Sequence, residues 1–489
     1  MLLATVLGSG IAFLDATVVN VALPTIGTQL HAGISGLQWV VNAYTLTLSG
    51  FLLLGGSLGD HYGRRRVFVI GVIWFAAASL LCGLAPSVEA LIAARALQGV
   101  GGALLTPGSL AIIEASFRAE DRGPAIGAWS GLGGVTAAIG PFLGGWLVQA
   151  ASWRWIFLIN LPLAVVVVVV ARRHVPESRD PSVGAGLDYA GAALAAVGLA
   201  GVVYALTDGP GLGWTSARIL LAAAVGVAAL AAFLVWERRS RHPMLPLDIF
   251  ASRQFTAANL VTFVVYGALG GSLFLMPIQL QRVVGFTPLQ AGLALIPITL
   301  VMLLLSARAG RLSARIGPRL PMTLGPLLVA AGFVLYTRIG PGSAYLTDVV
   351  PGMLVFAFGL TLTVAPLTAT VLAAAPAEHA GVASAVNNDV ARAAGLLAVA
   401  ILPVAAGISG AGALDPTHFD QGFHMAVLIA AALCAAGALI SWFGIRNPAK
   451  ERPPSRQPEP APTTATDIDL LHCPLSAPPL RHPSTSQQR

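Results

Sequence analysis

One carboxylate stands in the first apolar stretch of the chain, where it could carry out chemistry inside a membrane. Residues 13–24 read FLDATVVNVALP, which places Asp15 among valine, leucine and phenylalanine side chains. A carboxylate in a membrane helix costs about 2.5–3.5 kcal/mol on insertion scales, so such a residue indicates a function. Three roles are open for Asp15: a structural contact, binding of a cationic substrate, or carriage of a proton. Burial favours the neutral carboxyl group and a nearby arginine favours the carboxylate, so alternating hydration could load and release a proton.

A second charge, Arg95, lies in the apolar stretch LIAARALQGVGGA (91–103). Intramembrane arginines usually face a cavity or a charged partner. Gln98 and Gly99 follow one helical turn later, which predicts a polar and closely packed helix face. The alternative is a structural arginine that reaches outward to the membrane surface, since Arg95 lies about 9 Å from the start of its helix.

A third charged site is predicted in NNDVARAAG (387–395). Asp389 and Arg392 are three residues apart and therefore share a helix face. The spacing predicts an intramembrane pair whose two charges neutralise each other and so make burial tolerable.

The elements that position these residues are apolar helices. The chain has 489 residues, of which 56% are hydrophobic and 10% charged, whereas soluble domains carry about 25% charged residues. A helix needs about 20 apolar residues to cross the hydrocarbon core. Fourteen runs meet that length, which predicts an all-α membrane protein; they lie near 2–26, 37–58, 67–85, 89–112, 123–149, 155–171, 188–206, 217–236, 255–276, 288–307, 320–337, 350–371, 381–408 and 422–445.

Arginine placement predicts the orientation of these runs, because cytoplasmic loops retain positive charge. One set of alternate loops is rich in arginine and the other set holds four, at Arg154, Arg218, Arg282 and Arg338. Both termini are therefore expected in the cytoplasm. The net charge of +7 reports this topology and does not indicate a nucleic-acid partner. The arginine-rich loops contain Arg64, Arg65, Arg66, Arg118, Arg122, Arg172, Arg173, Arg179, Arg238, Arg239, Arg241, Arg253, Arg308, Arg311, Arg315 and Arg319.

The segment GSLGDHYGRRR (56–66) joins the second and third runs. Its glycines permit a tight turn, and its acid can pair with an arginine or accept hydrogen bonds at a helix N-terminus. A basic turn that only fixes topology is the alternative. The segment resembles the loop signature G-x-x-x-D-x-x-G-R-R of the major facilitator superfamily, which implies a gating loop that latches the two halves of the transporter and takes part in their rocking; the matching residues are Gly56, Asp60, Gly63, Arg64 and Arg65.

A related segment, GRLSARIGPR (310–319), follows the tenth run. It repeats the leucine, the second glycine and the last arginine of the first segment at equal spacing, and it has Ala314 in place of the acid. This echo predicts two similar halves.

The fifth run contains GAWSGLGGVTAAIGPFLGG (127–145), which is dense in small residues. Two G-x-x-x-G pairs, Gly127/Gly131 and Gly140/Gly144, predict close helix contacts, and a proline is expected to bend the helix. Gly140, Pro141, Gly144 and Gly145 resemble the signature of the superfamily's antiporters, which implies export, although Thr136 stands where that signature usually has glycine.

Three further stretches resemble the 14-helix drug:proton antiporters of the QacA/EmrB type: FLDATVVNVALPTI (13–26), WRWIFLINLPLAV (153–165) and LDYAGAALAAVGLAGVVYALTDGPGLGW (187–214). This resemblance implies the major facilitator fold, with two six-helix halves and a two-helix insert. It also implies proton coupling at Asp15 and Arg95. The expected units are an N-terminal half at 1–171, an insert with its flanking loops at 172–254, a C-terminal half at 255–446 and a disordered cytoplasmic tail at 447–489.

The expected function is proton-driven efflux of drugs or antibiotics across the cell membrane by alternating access, which confers resistance. Protons, a drug-like molecule and the lipid bilayer are the expected partners of a monomer, and neutral or singly charged cargo is favoured because few acids lie at membrane depth. The expected energy source is the proton motive force. ATP drive is disfavoured because the sequence contains no phosphate-binding G-x-x-x-x-G-K-[ST] loop. No cofactor and no metal are expected. No residue is assigned to the cargo.

Other functions stay open on the same sequence. A proton-coupled uptake carrier and an exporter of an endogenous natural product would use the same fold. A membrane sensor is disfavoured by the short loops. An enzyme is disfavoured because the runs contain no metal motif and no nucleophile–base pair.

Overall fold

The computed structural model describes residues 1–179, 188–240, 243, 245–374, 380–410 and 412–447. Every regular element within these ranges is helical. The predicted tail at 447–489 lies outside the described residues except for Asn447.

The described residues form up to fourteen candidate membrane spans, in agreement with the predicted number. Among the described residues, 13 helices are long and apolar enough to cross a membrane, and a bent pair makes a fourteenth. Spans 1–6 are Leu2–Gln29, Ile34–Tyr62, Arg64–Leu84, Val88–Ser116, Ala119–Ala150 and Trp155–His174. Spans 7 and 8 are Tyr189–Leu212 and Ala217–Arg239. Spans 9–14 are Arg253–Val283, Pro288–Ile316, Arg319–Tyr336, Tyr345–Ala373, Ala380–Ala405 and Pro416–Gly444.

Several spans are interrupted within their length. Span 2 bends by 48° between Ile34–Leu52 and Leu54–Tyr62, just before two consecutive glycines. Span 6 consists of Trp155–Leu158 and Asn160–His174. Span 9 ends in a π-helical turn and span 12 begins with one. Single π-helical turns inside α-helices are frequent at functional sites.

The segment predicted as a loop at 56–66 is mostly helical, which corrects the sequence interpretation. Span 2 continues to Tyr62 and span 3 begins at Arg64, so Gly63 alone makes the turn, with φ of 116°. The matching residue of the second half, Gly317, also ends its helix at positive φ, 86°. Glycine adopts this backbone conformation without a Cβ penalty. The echo between the two segments is therefore also a structural one.

Close packing inside each half depends on glycines. In the N-terminal half, a Cβ at Gly101 of span 4 would lie 2.8 Å from Phe75 Cα of span 3. In the C-terminal half, a Cβ at Gly332 of span 11 would lie 2.8 Å from Phe356 Cα of span 12. Small residues allow helix backbones to approach where lipid gives no hydrophobic driving force between helices.

The two halves meet at one end of the bundle. We call the end that carries Arg64, Arg65 and Arg66 the basic end, and the other the opposite end. Contacts between the halves join span 5 to span 10, span 2 to span 13 and span 1 to span 9. At the opposite end, Gln281 Nε2 donates to Val21 O at 2.8 Å and Gln38 Nε2 donates to Val399 O at 2.7 Å. These bonds tie spans 1 and 2 to spans 9 and 13.

The two-helix insert packs against both halves. Span 7 contacts span 8, span 2 and span 13. A Cβ at Gly50 of span 2 would lie 2.9 Å from Ala196 Cβ of span 7. Trp39 Nε1 donates to Asp208 Oδ2 at 2.7 Å, which ties span 7 to span 2 at the opposite end. The insert therefore covers the line along which span 2 meets span 13.

Candidate functional site

Asp15 lies at the centre of a buried hydrogen-bond network in the N-terminal half. Its side chain is 0% exposed. Oδ2 accepts a hydrogen bond from Arg95 Nη1 and forms an ion pair with it. Oδ1 accepts from Gln98 Nε2 at 2.8 Å and from Asn160 Nδ2 at 3.3 Å. A buried ion pair is stable when further hydrogen bonds satisfy its remaining polar atoms, and this one meets that condition.

Arg95 is buried too, so the alternative of an outward-reaching arginine is wrong. The residue is 1% exposed. Its Nε donates to Val40 O at 3.1 Å and its Nη1 also donates to Gln98 Oε1 at 2.6 Å. The guanidinium carbon lies 4.2 Å from the centre of the Tyr44 ring, close enough for a cation–π contact. Arg95 therefore has neutral partners that hold it in place whether or not Asp15 carries a charge.

Two members of the network were not singled out from the sequence. Ser79 Oγ accepts from Gln98 Nε2 at 2.8 Å and from Asn160 Nδ2 at 3.3 Å. The signal for Asn160 was present, because it is the one amide in the apolar stretch WRWIFLINLPLAV. Ser79 gave no signal, since isolated serines are frequent in membrane helices. The network thus joins spans 1, 3, 4 and 6.

The antiporter-like motif of span 5 packs directly on the turn of span 1 that carries Asp15. A Cβ at Gly140 would overlap Thr17 Oγ1 and would lie 3.4 Å from Leu14 O. A Cβ at Gly144 would lie 3.0 Å from Val18 O. The other side of the same motif packs on span 10 of the C-terminal half, where a Cβ at Gly145 would lie 2.9 Å from Leu289 Cα.

The other predicted glycine contact in span 5 is absent. Gly127 and Gly131 have no neighbouring atom within 4 Å of a Cβ built on them, so the close contact predicted for this G-x-x-x-G pair is wrong. They lie toward the basic end, where span 5 has no closely packed neighbour on that face. Thr136 replaces the usual glycine of the antiporter signature and faces Gly10 of span 1. A Cβ built on Gly10 would lie 3.4 Å from Thr136 Oγ1, which is an ordinary van der Waals distance.

The turn between spans 2 and 3 is fastened within the N-terminal half. Asp60 pairs with Arg64 at 2.7 Å. Arg65 Nη1 donates to Val175 O at 3.0 Å and its Nε lies 3.6 Å from a carboxylate oxygen of Glu177. The segment after span 6 therefore holds the turn, and both salt bridges join residues that precede span 7.

Asp389 and Arg392 do not form the predicted pair. Within the described part of the chain, no ion pair of 4 Å or less joins their side chains, although both lie in span 13. The Oδ1 atom of Asp389 is buried and has no hydrogen-bond partner among the described residues. It borders a cavity against the insert. Shared helix-face spacing was not sufficient, because side chains three residues apart need compatible rotamers to meet.

A bundle of fourteen apolar spans, with a buried acid–arginine network and a turn motif repeated in two halves, defines a multi-pass membrane transporter. The chain belongs to the major facilitator superfamily, whose family model matches residues 5–400. The family resemblance stated from the sequence is thereby confirmed.

Curated relatives carry names that refer to drug and antibiotic resistance. The multidrug resistance protein Stp of Mycobacterium tuberculosis is 38% identical over 79% of this chain and 72% of that protein. The puromycin resistance protein pur8 of Streptomyces alboniger is 34% identical over 88% of each chain. The tetracenomycin C resistance and export protein of Streptomyces glaucescens is 34% identical over 82% of this chain and 75% of that protein.

Solved structures of transporters share the fold. A POT family transporter in complex with 5-aminolevulinic acid has a TM-score of 0.66 and 13% identity, covering 90% of this chain and 94% of that one. A D-xylose–proton symporter has a TM-score of 0.64 and 16% identity, covering 91% and 97%. At these identities the likeness concerns the fold alone.

Proposed function

We propose that this protein exports drug-like or antibiotic molecules across the cell membrane in exchange for protons, by alternating access and as a monomer with both termini in the cytoplasm. The resistance and export named for its relatives supports the cargo class. The basic end would face the cytoplasm, since arginine-rich loops are retained on that side.

The observation that carries the proposal is the buried network around Asp15. Proton binding to Asp15 neutralises the carboxylate and removes its ion pair with Arg95. Arg95 keeps its hydrogen bonds to Val40 O and Gln98 Oε1. The network can therefore exist in two charge states without leaving an arginine unpartnered in the membrane, as a proton carrier requires.

A conformational change caused by proton binding at Asp15 can be transmitted through span 1 to the interface between the halves. The face of span 5 that carries Gly140 and Gly144 packs on the turn of span 1 around Asp15. The contacts are with Leu14, Thr17 and Val18. The opposite face of span 5 packs on span 10. A Cβ built on Gly292 of span 10 would lie 3.4 Å from Phe142 Cα of span 5. A rotation of span 1 on protonation would thus be passed to the contact that closes the opposite end.

The proton motive force is large enough for this task. One charge moving down 100 mV supplies about 2.3 kcal/mol, and about 1.4 kcal/mol corresponds to a tenfold gradient. One net charge per cycle therefore sustains a gradient of roughly 40-fold before any pH difference is added.

Replacing Asp15 with asparagine tests the proton carrier. We expect Asp15→Asn to abolish proton-driven efflux in energised cells, because the side chain keeps its shape and loses its titratable group, while membrane expression stays intact. In proteoliposomes the variant is expected to lose substrate-driven proton release. Asp121→Asn, at an exposed acid near the basic end, is the matched control and should behave as wild type. Full efflux by Asp15→Asn would exclude the carrier role.

A susceptibility panel in an efflux-deficient host, comparing wild type with Asp15→Asn, identifies the cargo. The second candidate is export of a natural product made by the same cell, which the name of the tetracenomycin C relative favours. A proton-coupled uptake carrier would be recognised by substrate and proton moving in the same direction in proteoliposomes.

A further inference from the structure

A second site with unused polar atoms lies away from Asp15, between the insert and the two halves. A cavity of about 210 Å³ opens there. Its walls come from spans 2, 7, 8 and 13 and from the segment before span 9, and they include Ser49, Ala195, Leu199, Phe233, Phe250 and Asp389. The cavity shares no lining residue with the network around Asp15.

Two polar atoms on this wall have no partner among the described residues. Asp389 Oδ1 and Ser49 Oγ are buried and accept or donate no hydrogen bond there. An unpaired polar group away from water is costly, and a carboxyl group more so than a hydroxyl. The rest of the wall is almost entirely apolar. The lining residues of the cavity therefore include one acid, Asp389, and one hydroxyl residue, Ser49, among side chains that otherwise suit hydrocarbon.

The charge nearby limits what can bind. Arg392 lies one turn beyond Asp389 and close enough to interact with it electrostatically, although the two form no ion pair. A compound with a positive charge can pair with Asp389, and Arg392 weakens that attraction because it repels the same charge. A metal ion would need several oxygen ligands, and this wall offers too few.

We propose that the cavity binds a small lipophilic amine in its protonated form. The ammonium group pairs with the carboxylate of Asp389, which lines the cavity, and the apolar body packs on Ala195, Leu199 and Phe233. The volume lies below the roughly 300–1,000 Å³ of pockets for drug-sized ligands, so the occupant is compact. Binding here is a property beyond the proposed efflux and does not depend on proton transfer at Asp15.

Binding of 1-aminoadamantane to the purified protein in lipid nanodiscs tests the site. This probe has a compact apolar body and one primary ammonium group, and 1-adamantanol is its neutral counterpart. We expect saturable binding of the amine and binding of the alcohol that is weaker by about tenfold or more, the size of one hydrogen bond to a charged group. Equal binding of the two probes would overturn the proposal.

Variants assign the binding to this cavity. Asp389→Asn and Ala195→Phe are each expected to weaken amine binding by about tenfold or more, the first by removing the charge and the second by filling the space. Arg392→Gln is expected to strengthen it, a change of sign that a merely misfolded variant would not give. Unchanged binding in Asp389→Asn, or weaker binding in Arg392→Gln, would contradict the site.

Asp15→Asn distinguishes amine binding in the cavity from proton transfer at the central network. It is expected to bind 1-aminoadamantane as wild type does, while it loses proton-coupled efflux. Loss of amine binding in Asp15→Asn together with full binding in Asp389→Asn would place the amine at the central network and sink this inference. Full efflux by Asp15→Asn would sink the proton-carrier role and leave the cavity untouched.

Discussion

For single residues, the donors around Asp15 differ in charge and in what else they hold. Arg95 contributes a positive charge, whereas Gln98 and Asn160 contribute neutral amides. Hydrogen bonds in which donor and acceptor are both charged are stronger than those from neutral donors. Arg95 is therefore expected to contribute more than either amide to holding the Asp15 carboxylate.

Removal of a donor is expected to weaken proton-coupled efflux. In Asn160→Ala, Asp15 loses one hydrogen bond. A hydrogen bond to a charged group is worth about 1.5–3 kcal/mol, so efflux should fall by about tenfold or more. Arg95→Ala should reduce efflux further. The measurement is the efflux rate in energised vesicles at one fixed pH. Unchanged proton coupling in Arg95→Ala would leave the arginine a structural role.

The charged members of this network can be predicted from the sequence, whereas the small polar ones cannot. An acid and an arginine are rare in apolar runs, so Asp15 and Arg95 stand out as candidate site residues. Serine costs little in a membrane helix, so Ser79 is indistinguishable from many other serines until the helices are packed. The Asp389–Arg392 pairing failed for a related reason, since side-chain rotamers are not fixed by spacing.

At the scale of helices, span 5 contains one closely packed glycine, Gly140, and one glycine without a close neighbour, Gly127. Gly140→Ala is expected to reduce efflux severely, because its Cβ would overlap Thr17 on the turn next to Asp15. Overpacking of this kind typically costs about 1–3 kcal/mol. Gly127→Ala is the matched control, since its Cβ would meet open space. Substrate efflux and membrane expression are measured for both. Equal activity of the two variants would show that the close contact is not required.

Helix number could be read from hydropathy, whereas turns and helix contacts could not. The fourteen runs correspond to the fourteen spans because apolar length alone fixes a membrane helix. The turn after span 2 proved to need one residue, Gly63, since the neighbouring motif residues continue the helices. The contact expected at Gly127 and Gly131 is absent because a G-x-x-x-G pattern permits an approach without supplying a partner.

For the whole molecule, the halves are joined at the opposite end. Leu289 N donates to the side chain of Gln149 at 3.3 Å, which adds to the bonds from Gln281 and Gln38. Alternating access requires these bonds to break when the molecule opens on that side. The sequence predicted two halves, but which end holds them together depends on tertiary contacts that hydropathy does not report.

A cross-link at this contact should stop transport. We expect Gln149→Cys combined with Leu289→Cys, bridged by a short bis-methanethiosulfonate reagent, to lose efflux and to recover it on reduction. Gly36→Cys with Val88→Cys is the matched control, because a Cβ at Gly36 lies 3.4 Å from Val88 Cγ2 and both residues belong to the N-terminal half. Efflux that persists after complete cross-linking of the first pair would show that this contact does not open.

The residues of the Asp15 network all belong to the N-terminal half. Spans 1, 3, 4 and 6 supply its hydrogen-bonding side chains and span 2 supplies the Val40 carbonyl that accepts from Arg95. These described contacts therefore use no residue of the C-terminal half. A substitution in the C-terminal half therefore leaves each of these hydrogen-bonding side chains of the network in place. The two halves can be altered one at a time, so a chimaera that keeps residues 1–171 and exchanges the C-terminal half retains the complete network.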